Sequence, residues 1–302
     1  MSLAHFGVGE FYALFCALLW GSAVVLFKYA GNTLSANNLN LVKNVISVGL
    51  FFPTAIIIEG LTLPSLTTTE WLILITTGYF GIAIADTWYL QALRYLGAGR
   101  TAIVGSLYSP FVVILSIIFL GEYLQAWQWL GFVLVLIGIL IVVYQRQYQD
   151  VDSSLLLRGI VLAASSVFLT AAGVVAMKPI LANDGFFWLV SLRLLAGVIG
   201  MLIYIAIRGQ VRETVSAISN RDLPWRIIII ASVLGTYLAM VFWLAGFKYA
   251  NASVASVLNE TANIFIVLMA WLFLKESLTK RKIVGVITTF AGVIIFLGVV
   301  SI

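Results

Sequence analysis

The chain has 302 residues, of which 62% are hydrophobic and only 10% charged, and its formal net charge is +5. A soluble domain runs at about 25% charged residues, so this composition excludes a sizeable soluble domain and points to an integral membrane protein, with the positive charge bearing on loop orientation rather than on nucleic acid. The single cysteine, Cys16, excludes an intramolecular disulfide, and the single histidine, His5, lies outside the apolar runs, which excludes a His/Cys metal centre and suggests no cofactor.

Ten apolar segments of roughly bilayer-spanning length follow one another, at about 9–29, 39–58, 71–93, 100–120, 127–144, 156–177, 186–207, 225–247, 252–274 and 282–300. No basic flank or small-residue cleavage site accompanies the first, so it reads as a retained helix rather than a removed signal. The connections are short, and the longest polar ones are 145–154 and 208–224.

Polar residues inside these segments carry the functional information. Lys28 and Lys178 stand at the ends of the first and sixth segments, and Lys43 and Arg193 near the starts of the second and seventh. Each either snorkels to the headgroups, pairs with an acid as a gate, or meets a substrate carboxylate. In the third segment Asp86 shares a helix face with Tyr79 and Tyr89. It binds a cationic or zwitterionic solute, takes up a proton, or pairs with Lys28, Lys43 or Arg193. In the fourth, Ser106, Ser109 and Ser116 share a face beside Pro110, which removes a backbone hydrogen bond and frees a carbonyl. Small-residue packing is the alternative there.

The ninth segment is the most informative. Ser253, Ser256, Glu260 and Asn263 fall at i, i+3, i+7 and i+10, so a continuous helix makes them one stripe, with Asn259 beside it. A carboxylate at membrane depth costs at least about 2.5 kcal/mol and by default marks function. Such a stripe faces a water-filled cavity or another helix, not lipid. Aromatic residues in the same helices, Trp20, Trp88, Tyr108, Phe168 and Trp243 with Tyr79 and Tyr89, suit a cation or an aromatic solute. Trp71, Trp127, Trp129, Trp188 and Trp225 sit at segment ends and read as interface anchors.

The two halves correspond. A shift of 154 places Trp71 on Trp225, Gly81 on Gly235, Tyr95 on Tyr249, Glu122 on Glu276, Gly131 on Gly285 and Gly138 on Gly292; a shift of 150 places Lys28 on Lys178 and Lys43 on Arg193. In the first register Ser106 is the partner of Glu260, and the two are expected to approach each other. Five segments is an odd number, so the second half enters the membrane inverted. The expected fold is an all-α integral membrane protein of ten transmembrane helices, as two inverted five-helix repeats, 1–146 and 147–302, around a central cavity. The paired glycines mark a close-packing face, within the protein or between protomers.

The stretches LLWGSAVVLFKYA at 18–30, ALRYLGAGRTAIVGSLYSPF at 92–111, GE at 121–122, FKYANASVASVLN at 247–259 and KES at 275–277 resemble the drug/metabolite transporter superfamily, and within it the ten-helix EamA-type branch. The resemblance covers essentially the whole chain. It implies a carrier of amino acids, metabolites, sugars or cations, with a cavity lined by helices 1, 3, 4, 6, 8 and 9 and with helices 5 and 10 peripheral. Members usually have an apolar, Pro-containing ninth helix, where this chain has Asn259-Glu260-Thr261-Ala262-Asn263. They are usually drawn with both termini inside, whereas the basic residues here gather in loops that the positive-inside rule makes cytoplasmic, with both termini outside.

The expected function is secondary transport of a small polar organic solute, an amino acid, amine or related metabolite, by alternating access. Export, in a bacterial inner membrane, coupled to protons or solute exchange, is the leading form. No GxxxxGK[ST] loop occurs, so a gradient rather than a nucleotide supplies the energy, and Glu260 or Asp86 is the natural proton site. The partners are the solute, the bilayer and protons, with no nucleic acid, and the chain is a monomer or homodimer. A channel-like facilitator is the alternative; an intramembrane enzyme would have only Asp86 and Glu260 to work with.

Overall fold

The computed structural model describes residues 7–30, 33–143, 153–183, 185–274 and 279–298. These residues form helices and no strand. Helix α1 spans Val8–Ala30 and α2 spans Ala36–Glu59, opened by the Ser35 hydroxyl accepting from the Asn38 amide and closed at Gly60, whose φ of 79° suits only glycine. α3 (Thr68–Gly78) starts with a capping box between Thr67 and Glu70 and runs through a π-helical stretch, π1 (Tyr79–Ala85), into α4 (Asp86–Gly105). α5 (Tyr108–Leu120) and α6 (Ala126–Val143) complete the first half.

The second half runs α7 (Ser153–Leu181), α8 (Phe186–Ile207), a short α9 (Val211–Ile218) and α10 (Trp225–Ala231), which continues through π2 (Ser232–Leu238) into α11 (Ala239–Tyr249). Then follow α12 (Ala252–Asn259), α13 (Ala262–Leu274) and α14 (Lys280–Phe296). Among the described residues, eight helical stretches are long and apolar enough to cross a membrane, and a shorter apolar one covers Ala126–Val142. The chain is therefore an all-helical, multi-pass membrane protein.

Three features depart from the pattern expected of the sequence. The connection placed at 94–99 is itself helical, since α4 runs on to Gly105; no proline interrupts it. The polar connection 208–224 contains α9, whose charged and apolar residues alternate at helical spacing over only eight residues. The two π segments were not expected either. They stand 153 positions apart, within one residue of the repeat register. A π turn frees backbone carbonyls, and two of those in π1 are used: Ile82 O accepts from Asn40 Nδ2 at 2.9 Å and Ala85 O from Ser166 Oγ at 2.7 Å.

The paired glycines are explained by packing within the chain. α6 and α14 lie against each other backbone to backbone. A Cβ on Gly138 would fall 2.8 Å from Gly285 O, and one on Gly292 would fall 2.8 Å from Gly131 O. Elsewhere α1 packs on α11 and α13, α2 on α8, and α4 on α7. This leaves a hollow at mid-depth between α1, α4, α7, α11 and the α12–α13 pair.

Candidate functional site

The site is organised by two broken helices. Pro110 has no N–H to give to Ser106 O, so the fourth span stops at Gly105, turns through Ser106 and Leu107, and restarts as α5 with Pro110 in its first turn, where proline is tolerated. The ninth span breaks at the corresponding place, between Asn259 and Ala262. It does so without proline, so the stripe drawn through Ser253, Ser256, Glu260 and Asn263 is not one straight helix face. Here short-range bonds make the turn: Thr261 gives both its N–H (3.1 Å) and its Oγ1 (2.6 Å) to Leu258 O, and Asn263 Nδ2 donates to Glu260 O at 3.3 Å.

Glu260 lies at this break and is 5% exposed. Its Oε1 accepts from the Ser109 amide at 3.2 Å and its Oε2 from Asn263 Nδ2 at 3.1 Å. The carboxylate thus caps the N-terminus of α5, where free amides and the helix dipole favour an anion. The partner is Ser109, one turn beyond Ser106; Ser106 Oγ instead returns to Ile103 O.

A second acid caps the opposite end of the same pair. Gly121, at φ 65°, turns the chain after α5 so that Glu122 reaches α12. Its carboxylate accepts from the Ala252 amide (2.6 Å), the Ser253 amide (2.9 Å) and Ser253 Oγ (2.7 Å). Lys178 Nζ lies 4.0 Å from Glu122 and donates to Phe247 O at 2.7 Å and to Ala250 O. One cluster therefore ties α7, α11, α12 and the end of α5. Ser256, fully buried, bonds Ser253 O and does not reach the hollow.

The hollow is a cavity of about 240 Å³. Trp20 and Cys16 face it from α1, Asp86 and Tyr89 from α4, and Trp243 from α11. Asn259, Glu260 and Asn263 form the wall at the ninth-span break, and Tyr108 stands at the head of α5. The Asn259 side chain is buried, and among the described residues neither of its amide atoms has a hydrogen-bond partner. Trp243 Nε1 donates to Tyr108 OH at 3.2 Å. Asp86 carries an ion pair, its Oδ2 2.6 Å from Lys43 Nζ, with Lys43 buried and about a third of the Asp86 side chain exposed towards the cavity.

Other residues singled out in the sequence lie apart from this wall. Tyr79 packs on Gly200 of α8 and on Phe80 and is 37% exposed. Phe168 meets Phe111 edge to face and is 44% exposed. Lys178 belongs to the Glu122 cluster. The Lys28 side chain lies outside the described residues. Arg193 is 2% exposed, and its Cζ stands 5.7 Å from the Trp243 ring. Trp188 is no interface anchor: it is 6% exposed, its indole donates to Gly60 O at 3.1 Å, and Glu59 caps α8 through the Phe187 and Trp188 amides. A helix-start Trp looks the same in sequence whether it meets headgroups or a neighbouring loop.

A larger hollow, about 990 Å³, opens where 59–65, 182–188 and 241–249 meet, lined by Glu59, Asn183, Trp188, Lys248 and Tyr249. Its rim residues, Glu59 and Trp188 in particular, sit at helix ends, and nothing in their spacing announced a shared hollow.

Comparison with known proteins gives a consistent result. A profile of the EamA-like transporter family matches residues 7–144 and 157–298. An uncharacterized transporter of Synechocystis is 25% identical over 87% of this chain and 76% of its own length. Uncharacterized transporters of Archaeoglobus fulgidus (35% identical) and Acidianus ambivalens (32% identical) match over 25% and 26% of this chain, and the match spans only 26% and 28% of those relatives' lengths. One solved crystal structure is similar at a TM-score of 0.77 over 95% of both chains with 14% identity, a likeness of fold alone.

Proposed function

This chain belongs to the EamA-like transporter family, and from that premise we propose that it is a secondary carrier for a small polar organic solute bearing an ammonium group, an amino acid or amine. The observation that carries the reading is Glu260: a buried carboxylate at the break of one span, capping the break of another, on the wall of a mid-depth cavity. A carboxylate accepts up to about four hydrogen bonds, and two are used here, so Glu260 keeps capacity for a ligand ammonium or a proton. The free amide of Asn259 beside it offers a donor and an acceptor. Trp20, Tyr89, Tyr108 and Trp243 supply faces for a cation or an apolar side chain.

In this proposal residues 1–146 and 147–302 are two inverted five-helix repeats, ten membrane helices in all, and transport proceeds by alternating access. The solute leaves the cell across the plasma membrane in exchange for protons or another solute. The basic loops face the cytoplasm. The Glu122–Lys178 cluster is one closed gate.

Two outcomes test this. Lys178→Met removes the cation that holds Phe247 O and Ala250 O, so the closed gate loosens. Cys16, the only cysteine and a cavity residue, then reacts with a small water-soluble thiol reagent about tenfold faster than in the unsubstituted protein, a shift of ~1.4 kcal/mol in gate opening. An unchanged rate would mean that the cluster is static. Trp243→Ala weakens solute affinity about tenfold, in keeping with a lost cation–π or stacking contact of ~1–2 kcal/mol, and Trp71→Ala leaves affinity near its original value. Equal effects in binding titrations would remove Trp243 from the site.

A further inference from the structure

Arg193 is a buried cation that stands beside the cavity without being part of its lining. It is 2% exposed, yet its Nε and Nη1 are buried without a hydrogen-bond partner, and among the described residues it forms no salt bridge. Asp86, a natural counter-ion by sequence, forms its salt bridge with Lys43 and attracts Arg193 only at longer range. The contact Arg193 does make is with the face of Trp243, 5.7 Å from Cζ. A static cation–π core is the bland account. It does not suffice, because one ring returns less than the loss of water from an unpaired ion takes away.

The surroundings are shaped for the guanidinium. A Cβ on Gly81 would come within 3.0 Å of Nη2, and one on Gly173 within 3.7 Å. Gly173 lies one helical turn beyond Thr170, which lines the cavity, on the same face of α7. The guanidinium therefore sits one turn past the cavity wall, against the face of Trp243, which lines the cavity. On the other side, Trp188 lines the larger hollow five residues earlier on α8, and Val241 and Ala245 line that hollow while Met240 and Trp243 line the cavity. Arg193 and Trp243 together stand in the partition between the two spaces.

We propose that Arg193 is the anion pole of the transport site, and that it binds the carboxylate of an amino-carboxylate solute when the Trp243 ring turns aside. Nε or Nη1, each together with the neighbouring Nη2, makes the planar two-donor fork that matches a carboxylate in bidentate fashion. The solute then spans the cavity with its ammonium at Glu260 and Asn259 and its carboxylate at Arg193. This rests on the carrier reading above and narrows its solute from any ammonium compound to one that carries both charges.

The test uses the whole purified protein and matched probes: the common amino acids, each beside the amine that its decarboxylation yields. Affinities come from ligand-induced thermal shifts, which rise with binding to the native state. In the unsubstituted protein at least one amino acid binds more tightly than its amine. In Arg193→Gln that preference falls about 10- to 100-fold, the range for losing a charge-assisted bidentate contact, and Arg193→Lys restores part of it. Melting temperature and gel filtration of both variants report whether they fold. A preference unchanged in well-folded Arg193→Gln overturns the proposal. So does a protein that binds amines and never prefers an amino acid, an outcome that leaves the carrier reading intact. If neither probe set binds, the ammonium role of Glu260 fails as well.

Discussion

Glu260→Gln is expected to bring solute transport down by about 10- to 100-fold while the protein still folds. The substitution removes the charge and keeps the shape. The glutamine oxygen still accepts from the Ser109 amide, and the α5–α12 pair stays tied at its other end through Glu122. What is lost is an anion buried at a helix N-terminus, together with the charge-assisted bond from Asn263. Such bonds contribute about 1.5–3 kcal/mol each, which sets the fold-change through the tenfold-per-1.4 kcal/mol relation. Uptake by proteoliposomes, with melting temperature measured on the same preparation, checks this. Transport at the original rate would show that Glu260 takes no part in binding or coupling. A variant that cannot be purified in folded form would make Glu260 a structural tie between two broken helices.

The second large effect concerns assembly. Gly138→Leu is expected to prevent α6 and α14 from packing. A Cβ alone would fall 2.3 Å from Thr289 Oγ1 and 2.6 Å from Thr289 N, and the backbone amide cannot yield as a flexible side chain can. Overpacking of a tight interior costs about 1–3 kcal/mol even where neighbours can shift, and here two backbones must separate. The expected result is loss of most monodisperse protein in detergent, or a melting temperature lower by roughly 5–10 °C. Gly49→Ala is the control. It sits in α2 with no atom within 4 Å of its would-be Cβ, and alanine is the better helix former, so stability stays level or rises slightly. Gly138→Leu behaving like Gly49→Ala would contradict the backbone contact between α6 and α14.

Much of the architecture was legible in the sequence because membranes enforce simple rules. Long apolar runs and small residues at close contacts are written in composition and spacing. Glu260 was legible for the same reason, as a carboxylate in an apolar run has few bland explanations. The break at Ser106 and Leu107 could be anticipated from Pro110. The break at Glu260 and Thr261 could not, since it is made by side-chain hydroxyl and amide bonds to the backbone rather than by a missing N–H. Pairing was the other hidden quantity. Lys43 and Arg193 are equivalent in the repeat register, yet one meets Asp86 and the other meets Trp243, a choice set by tertiary placement. Nothing in the spacing around Glu122 pointed to α12. Its capping of α12 depends on the turn at Gly121 and on a helix 130 residues away in sequence.

The asymmetry between the two halves has a physical meaning in this account. Equivalent positions are filled by different chemistry at the centre, Ser106 against Glu260 and Lys43 against Arg193, while the packing glycines and the π segments recur. In the proposed carrier, the recurrent features would give both halves the same mechanics and the unlike residues would give the cavity its distinct poles.

The most direct test of the central claim is counterflow in proteoliposomes. Vesicles are loaded with an unlabelled amino acid or amine that stabilises the purified protein, and a trace of the labelled compound is added outside. A carrier with one cavity exposed alternately to each side predicts transient accumulation of label above the outside concentration, saturating with the loaded compound and absent in Glu260→Gln. Flux that is linear in concentration, with no accumulation against the gradient, would contradict alternating access and assign the cavity to a channel.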